Sequence, residues 1–417
     1  MSAFLRRVSA AFGPSHALLL RMAGLSEAEC SAEGPWVIDR SGRRWLDFGS
    51  FGLHLLGHRH PAVVAAAIDQ LSRMGLSSKT LGNDEATTCA ELLKASVPCP
   101  MDGVIFGNSG AEAIESALRL ARISTGRPRV LALSGSYHGR TAAALAISDA
   151  MGKNSHTAPA ASTEFIEPDD LAAAERALAR RDICAVVVEP IQGEGGIVPI
   201  KPNFMRALAS LSHAAGALLI MDEVQTGLGR CGEVWLGGGL DIYPDVIVTG
   251  KVLGGGIVPI SAAIYSRRHI GSAGIDPVVH ASTFAGSPFA TRIAATVIEI
   301  VNQQPFLATV RKLGAHALAE LETARHGLSG LRDIRGRGLM IGLDFVSADL
   351  AGEVVLEAAR QGILVTFCLS RPNVIRFYPP VVVTEAVLAE GIARLISAIR
   401  KAVKRCHDAP AAAASLN

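Results

Sequence analysis

The chain has 417 residues, 49% of them hydrophobic, which is enough to bury a large core and fits one big domain with a smaller companion. With 40 Lys and Arg against 38 Asp and Glu, its net charge of +2 gives no electrostatic reason to expect nucleic acid or an anionic membrane as partner. The seven cysteines are scattered, odd in number and without a CxxC pair, which argues against a disulfide framework and a zinc module and fits a reducing, cytoplasmic setting.

In chain order, residues 1–26 carry Arg6, Arg7 and Arg21 with serines and no acid. They read as an N-terminal arm, with a transit peptide as the alternative. His58 and His60 in GHRHP suggest a metal only weakly, because two histidines without a third ligand nearby are more often structural.

Strand-length apolar runs then recur at Val130–Leu133, Ala185–Val188, Ala217–Met221, Val246–Val248 and Ile260–Ile264, with helix-period segments such as Glu112–Arg122 and Phe204–Ala215 between them. That alternation predicts an α/β domain on a mostly parallel sheet covered by helices, with ligands gathered at the carboxyl ends of its strands. Long uncharged stretches such as Ala207–Met221 and Val252–Ser266 are shorter than the ~20 apolar residues a membrane span needs.

From Val301 the texture changes to long amphipathic helices, including Thr384–Lys404, around shorter strands near Leu339–Phe345, Ile363–Phe367 and Val374–Phe377. This predicts a smaller α+β domain over 301–417, joined by residues 1–55, beside a large domain over 56–300. The alanine-rich end, His407–Asn417, reads as frayed.

The chemistry-bearing residues fall at strand ends. Asp222 and Glu223 close one apolar run, Glu189 closes another, and Lys251 sits on the turn after a third, so these charges are expected on one rim. A lysine and an aspartate so placed can hold an aldehyde cofactor by both ends, the lysine through a Schiff base and the aspartate through a protonated ring nitrogen. A structural salt bridge would equally explain a carboxylate at the end of so apolar a strand.

Gly107–Ala111 (GNSGA) leads into a helix and can present backbone N–H groups, a serine hydroxyl and the positive helix end to a phosphate; a plain helix cap is the alternative. Tyr137, in Ser136–Thr141 (SYHGRT), can cover a planar ring or serve as a turn aromatic. No strand-coupled GxGxxG or Walker pattern points to a dinucleotide or P-loop protein.

Together, Phe106–Arg122, Ser136–Thr141, EPIQGEGG at Glu189–Gly196, MDEVQTGLGR at Met221–Arg230, GKVLGGG at Gly250–Gly256 and STFAGSPFA at Ser282–Ala290 stand in the order and spacing of the class III aminotransferases. The chain resembles these pyridoxal-phosphate enzymes of fold type I from about Trp36 to Lys404. Gly336–Phe345 and VIRFYPPVVVT at Val374–Thr384 resemble most the putrescine, ornithine and acetylornithine branch.

The resemblance implies that Ser109, Gly110 and Ala111 bind the phosphate of pyridoxal 5'-phosphate, Tyr137 stacks on its ring, Asp222 meets the pyridine nitrogen, Gln225 reaches the ring hydroxyl and Lys251 carries the cofactor. Thr283 would reach the phosphate of the neighbouring subunit, which makes the expected active unit a homodimer.

Arg376 is the expected clamp for a substrate carboxylate, Glu194 its neutralising partner when that carboxylate is missing, and Arg140 the holder of a distant carboxylate. Asp47–Gly57 (DFGSFGLHLLG) is expected to line the substrate entrance, with Phe51 as a wall. Ala285 and Ser287 depart from the glycine and asparagine common in the family segment, which bears on the Thr283 loop.

The implied reaction moves an amino group from an ω-amine donor to a keto acid, 2-oxoglutarate, by a ping-pong route. An aminomutase, racemase or decarboxylase on the same scaffold, or a nicotinamide-dependent oxidoreductase from a different class, are the rival readings.

Overall fold

The structure is a computed structural model that describes residues 2–149, 162–240, 242–271 and 279–408. The chain divides into two compact units, one formed by Met1–His58 with Arg311–Asn417 and the other by Arg59–Val310.

The N-terminal part of the first unit begins with helices α1 (Ala3–Phe12) and α2 (Pro14–Met22). Ser2 caps α1, its hydroxyl accepting from the Leu5 amide at 3.2 Å, and Leu5 and Val8 bury the apolar face. Three antiparallel strands follow, β1 (Glu29–Glu33), β2 (Trp36–Asp39) and β3 (Arg44–Asp47). Asp39 ties their turn, taking the Trp45 indole N–H at 3.0 Å and the Ser41 amide at 2.9 Å.

The second unit opens with α3 (Pro61–Arg73) and α4 (Asp84–Ser96), then alternates strands and helices. Its strands are β4 (Gly103–Gly107), β5 (Arg129–Leu133), β6 (Thr163–Ile166), β7 (Ile183–Val188), the short pair β8 (Ile191–Gln192) and β9 (Val198–Pro199), β10 (Leu218–Asp222), β11 (Val246–Thr249) and β12 (Ser261–Tyr265). Between them lie α5 (Gly110–Thr125), α6 (Ala142–Ala146), α7 (Leu171–Ala179) and α8 (Pro202–Ala214), with α9 (Pro288–Val301) after the last strand.

The central sheet has seven strands in the order β4-β12-β11-β10-β7-β5-β6. Only β12 runs against its neighbours, so the sheet is mostly parallel as expected. Every residue of β7, β10 and β11 is buried on both faces, which is why those strands read as unbroken apolar runs. Helix α5 starts on the Ser109 cap and stops at Gly126, whose φ of 68° is the left-handed conformation glycine accepts without strain.

Helix α10 (Gln304–Arg325) crosses the division between the units. Back in the first unit, β13 (Leu331–Arg337), β14 (Met340–Phe345), β16 (Thr366–Phe367) and β17 (Val374–Phe377) make a sheet in the order β13-β14-β17-β16. Helices α11 (Ala348–Arg360) and α12 (Glu385–Asp408) pack together beside it.

The run Ile363–Phe367, expected as one strand, is two. The first half, β15 (Ile363–Leu364), pairs in parallel with β3, Ile363 opposite Leu46, and the second, β16, pairs with β17. A single apolar run thus stitches the N-terminal sheet to the C-terminal one. No described helix is long and apolar enough to cross a membrane. Of the segment expected to fray, residues 409–417 lie outside the described residues.

Candidate active site

The carboxyl ends of β5, β7, β10 and β11 carry the site. In the parallel pair β10/β11, Asp222 lies opposite Val248, and the chain continues through Thr249 and Gly250 to Lys251. Lys251 opens a one-turn 3-10 helix with φ of 42°. For a residue with a long side chain, a left-handed backbone costs of order 1 kcal/mol and is typical of functional positions. A side chain at Gly250 would come within 3.7 Å of the Gly110 backbone, so the lysine turn and the start of α5 are neighbours.

The helix-cap reading of that start is realised in the geometry. Ser109 is its cap, the hydroxyl accepting from the Glu112 amide at 3.3 Å, while its own carbonyl accepts from Ser261 Oγ at 2.7 Å. A Cβ at Gly110 would crowd Val224 at 3.0 Å, two residues beyond Asp222. Ala111 faces Gly139, where an added Cβ would be only 2.6 Å from that of Ala111. The Ser136–Thr141 turn therefore passes directly over the first turn of α5.

Asp222 is 5% exposed, with both oxygens engaged: Oδ1 accepts from the Val224 amide at 3.0 Å and Oδ2 meets His138 Nδ1 at 2.7 Å. The sequence did not single out His138. Burial opposes charge on its ring, but the Asp222 hydrogen bond and the Asp222 and Glu189 carboxylates outweigh this and hold its pKa above the usual histidine range.

Glu189 accepts from the Tyr137 amide at 3.0 Å and from the Gly193 amide at 3.0 Å, so it fixes the aromatic turn and the β8/β9 loop together. Burial pushes its carboxyl up to about 7, against the pull of His138. Glu223 takes no part in that group. It turns to Thr226 Oγ1 (2.8 Å) and to the Leu236 and Gly237 amides (3.0 and 2.7 Å), and burial likewise raises it to about 7.

Gln225 is packed so closely on Gly193 that a Cβ there would stand 2.4 Å from its Oε1, and its Nε2 lies 3.5 Å from Glu194 Oε1. Ser109, Gly110, Ala111, Tyr137, Glu194, Asp222, Gln225 and Lys251 are thus linked through the second unit. Arg140 is exposed on the same turn as Tyr137. Thr283 is exposed in the turn before α9, next to Ser282, whose hydroxyl accepts from Asn108 Nδ2 at 3.2 Å.

Phe51 and Arg376 meet in the first unit. Arg376, on β17, is 1% exposed, donates from Nη2 to Thr366 Oγ1 at 3.1 Å and lies with its guanidinium 4.9 Å from the Phe51 ring centroid. Phe51 is half exposed and has φ of 53°, held in a turn where Asp47 accepts from Gly49 N at 3.1 Å and from the Ser50 hydroxyl. The histidines of GHRHP separate: His60 precedes α3, whereas His58 Nε2 lies 2.8 Å from Asp47 Oδ2 and its ring stacks 3.8 Å from that of His54. His58 therefore has neighbours that the local spacing did not reveal.

A buried acid at one strand end, a strained lysine on the next turn and a small-residue helix start between them define an α/β enzyme of the fold type I transferases. The aminotransferase class-III family model matches residues 28–399, and the chain belongs to that family. It is 34% identical over 393 residues to the succinylornithine transaminase of Yersinia pseudotuberculosis, covering 89% of this chain and 92% of the relative. With the acetylornithine aminotransferase of Bacillus anthracis it shares 34% over 360 residues, 86% of this chain and 91% of the relative. The ornithine aminotransferase from Toxoplasma gondii superposes with a TM-score of 0.84 at 31% identity, each chain 91% covered.

Proposed function

We propose that this class III aminotransferase uses pyridoxal 5'-phosphate to move an amino group from an ω-amine donor, a diamine or an ornithine-like or 4-aminobutyrate-like compound, to 2-oxoglutarate. The residues fit the cofactor. The α5 start is bare at Gly110, and a buried carboxylate and a lysine stand at the ends of adjacent strands. When bound, the cofactor supplies an electron sink for the pair released at the substrate's amine-bearing carbon.

Lys251 would carry the cofactor in the resting enzyme, and its Nζ, once free, would take the proton from that carbon and redeliver it. Asp222 would keep the ring nitrogen protonated, with His138 holding the carboxylate in place. Ser109, Gly110 and Ala111 would receive the phosphate, Tyr137 would cover the ring, and Gln225 would reach its hydroxyl. Thr283 would serve the phosphate of the partner copy in a homodimer.

The observation that carries the acceptor is Arg376. Its guanidinium is buried yet lies beside an aromatic ring and a threonine hydroxyl, the setting in which a planar fork can take a carboxylate bidentately. Glu194 is proposed as the alternative partner of Arg376 when the substrate lacks that carboxylate, Phe51 as a wall of the entrance, and Arg140 as the holder of a distant carboxylate.

The test is a half-reaction screen. The holoenzyme is mixed with putrescine, ornithine, its N-acyl derivatives, 4-aminobutyrate or lysine, and loss of the cofactor's visible absorbance is followed. The true donor bleaches the colour, and 2-oxoglutarate restores it with one glutamate formed per site. Arg376→Ala should raise KM for 2-oxoglutarate by about 100-fold, as loss of a charged bidentate bond predicts. An unchanged KM removes Arg376 from the acceptor site.

A further inference from the structure

At the opposite end of the sheet from Lys251, three segments bring two histidines onto one aspartate. Asp245, 2% exposed, immediately precedes β11; His213 lies on the last turn of α8; His269 follows β12. His213 Nε2 is 3.1 Å from Asp245 Oδ2 and His269 Nδ1 is 2.6 Å from Asp245 Oδ1, with the ring centroids 5.0 Å apart. We propose that His213, Asp245 and His269 form a zinc site separate from the reaction centre.

Two imidazole nitrogens and one carboxylate oxygen are a borderline donor set that suits zinc(II), with water in the fourth position. In a tetrahedral site with bonds near 2.0 Å, ligand atoms sit about 3.3 Å apart. The three donor atoms here all lie within 4.8 Å of one another, so small side-chain rotations replace the two hydrogen-bond protons by one cation.

The aspartate is already held in position. Its amide donates to the Leu219 carbonyl (2.9 Å), its carbonyl accepts from Ser266 N (2.9 Å), and Oδ2 accepts from Leu219 N (2.8 Å). A cavity of about 370 Å³ lined by Asp245, Cys99, Asp102, Ser266 and Arg268 adjoins the cluster, and His269 is exposed to solvent.

A second cluster, Asp47 with His54 and His58, has the same composition but a poorer arrangement. Its two rings lie 3.8 Å apart, against 5.0 Å for His213 and His269. Lone pairs lie in the ring plane, so the closer face-to-face approach of His54 and His58 leaves less room for both nitrogens to meet one ion.

Tag-free holoenzyme is dialysed against increasing ZnCl₂ at neutral pH, bound zinc is counted per chain, and CoCl₂ is used in parallel to read the visible bands of four-coordinate cobalt. The expected result is one zinc per chain. His213→Ala and His269→Ala should weaken it by at least ~100-fold, the upper end of what loss of even a supporting partner costs, and His54→Ala should retain it.

His269→Gln, which still donates to Asp245, controls for folding and should also lose zinc while keeping the thermal midpoint of the metal-free protein. Zinc affinity should fall as pH drops and protons compete for the imidazoles. No zinc uptake below millimolar concentration, wild-type affinity in either His269 variant, or loss of binding on His54→Ala overturns the assignment.

Discussion

The most informative single contact is the one between His138 and Asp222, 84 residues apart in sequence. The His138 ring is fully buried, and its Nε2 has no hydrogen-bond partner among the described residues, so Asp222 supplies the ring's one hydrogen bond there. Its raised pKa sets the sign of a pH effect. What the charged ring contributes is complete below the ordinary value of 6.5 and is lost as pH rises through the higher folded value. As a positioning residue it should matter to turnover more than to binding. His138→Gln is expected to lower kcat by up to ~100-fold with KM little changed. It should also erase one alkaline limb of the kcat profile; a profile of wild-type shape would assign the ring a packing role only. A lone histidine in a turn has no periodicity that could have announced this, since its meaning comes from a distant strand end. Asp222 and Lys251 were legible because charges at the ends of apolar runs are costly unless used.

The helix start at Ser109 separates two roles by experiment. As a cap it accepts from Glu112 N at 3.3 Å, and Ser109→Ala should cost the cofactor-free protein about 1 kcal/mol. If the hydroxyl also meets the cofactor phosphate, the holoenzyme should lose more than that, and Ser109→Thr should recover most of both. Equal losses in the two forms of the protein would leave Ser109 as a cap and nothing else. The elements legible from sequence were those whose burial is uniform, β7, β10 and β11, and helices with an apolar stripe such as α5 and α8. The edge strands β4 and β6 escaped notice. Thr163–Ile166 has only Ile166 fully buried and Gly103–Gly107 only Gly107, so neither forms a long apolar run. The break between β15 and β16 was equally hidden, because pairing with two different sheets leaves no mark on a five-residue apolar segment.

For the whole molecule, the order of the motifs carried the family assignment, whereas the assembly has to be argued from surface chemistry. The second unit exposes large apolar side chains close together in sequence: Ile68 (65%) and Leu71 (57%) on one face of α3, then Met74, Leu76 (59%) and Leu81 (77%), with Phe284 (59%) farther along the chain. Phe289 N donates to the Gly75 carbonyl at 3.2 Å and Lys79 reaches the Ala285 carbonyl, so the 74–81 segment and the Thr283 turn form one surface. An apolar surface of this kind on a chain without large net charge is what an isologous dimer covers. Light scattering should therefore give twice the chain mass, and Leu81→Asp with Phe284→Asp should yield monomers that release the cofactor. Whether Thr283 serves its own site or its partner's can be decided by mixing subunits. Lys251→Ala is expected to be inactive and Thr283→Ala impaired. If Thr283 acts across the interface, a mixed dimer combines both defects in one site and leaves the other intact, so equal mixing and reassociation should restore about a quarter of wild-type activity. If Thr283 acts within its own chain, every site in the mixed dimer keeps one defect and mixing restores nothing.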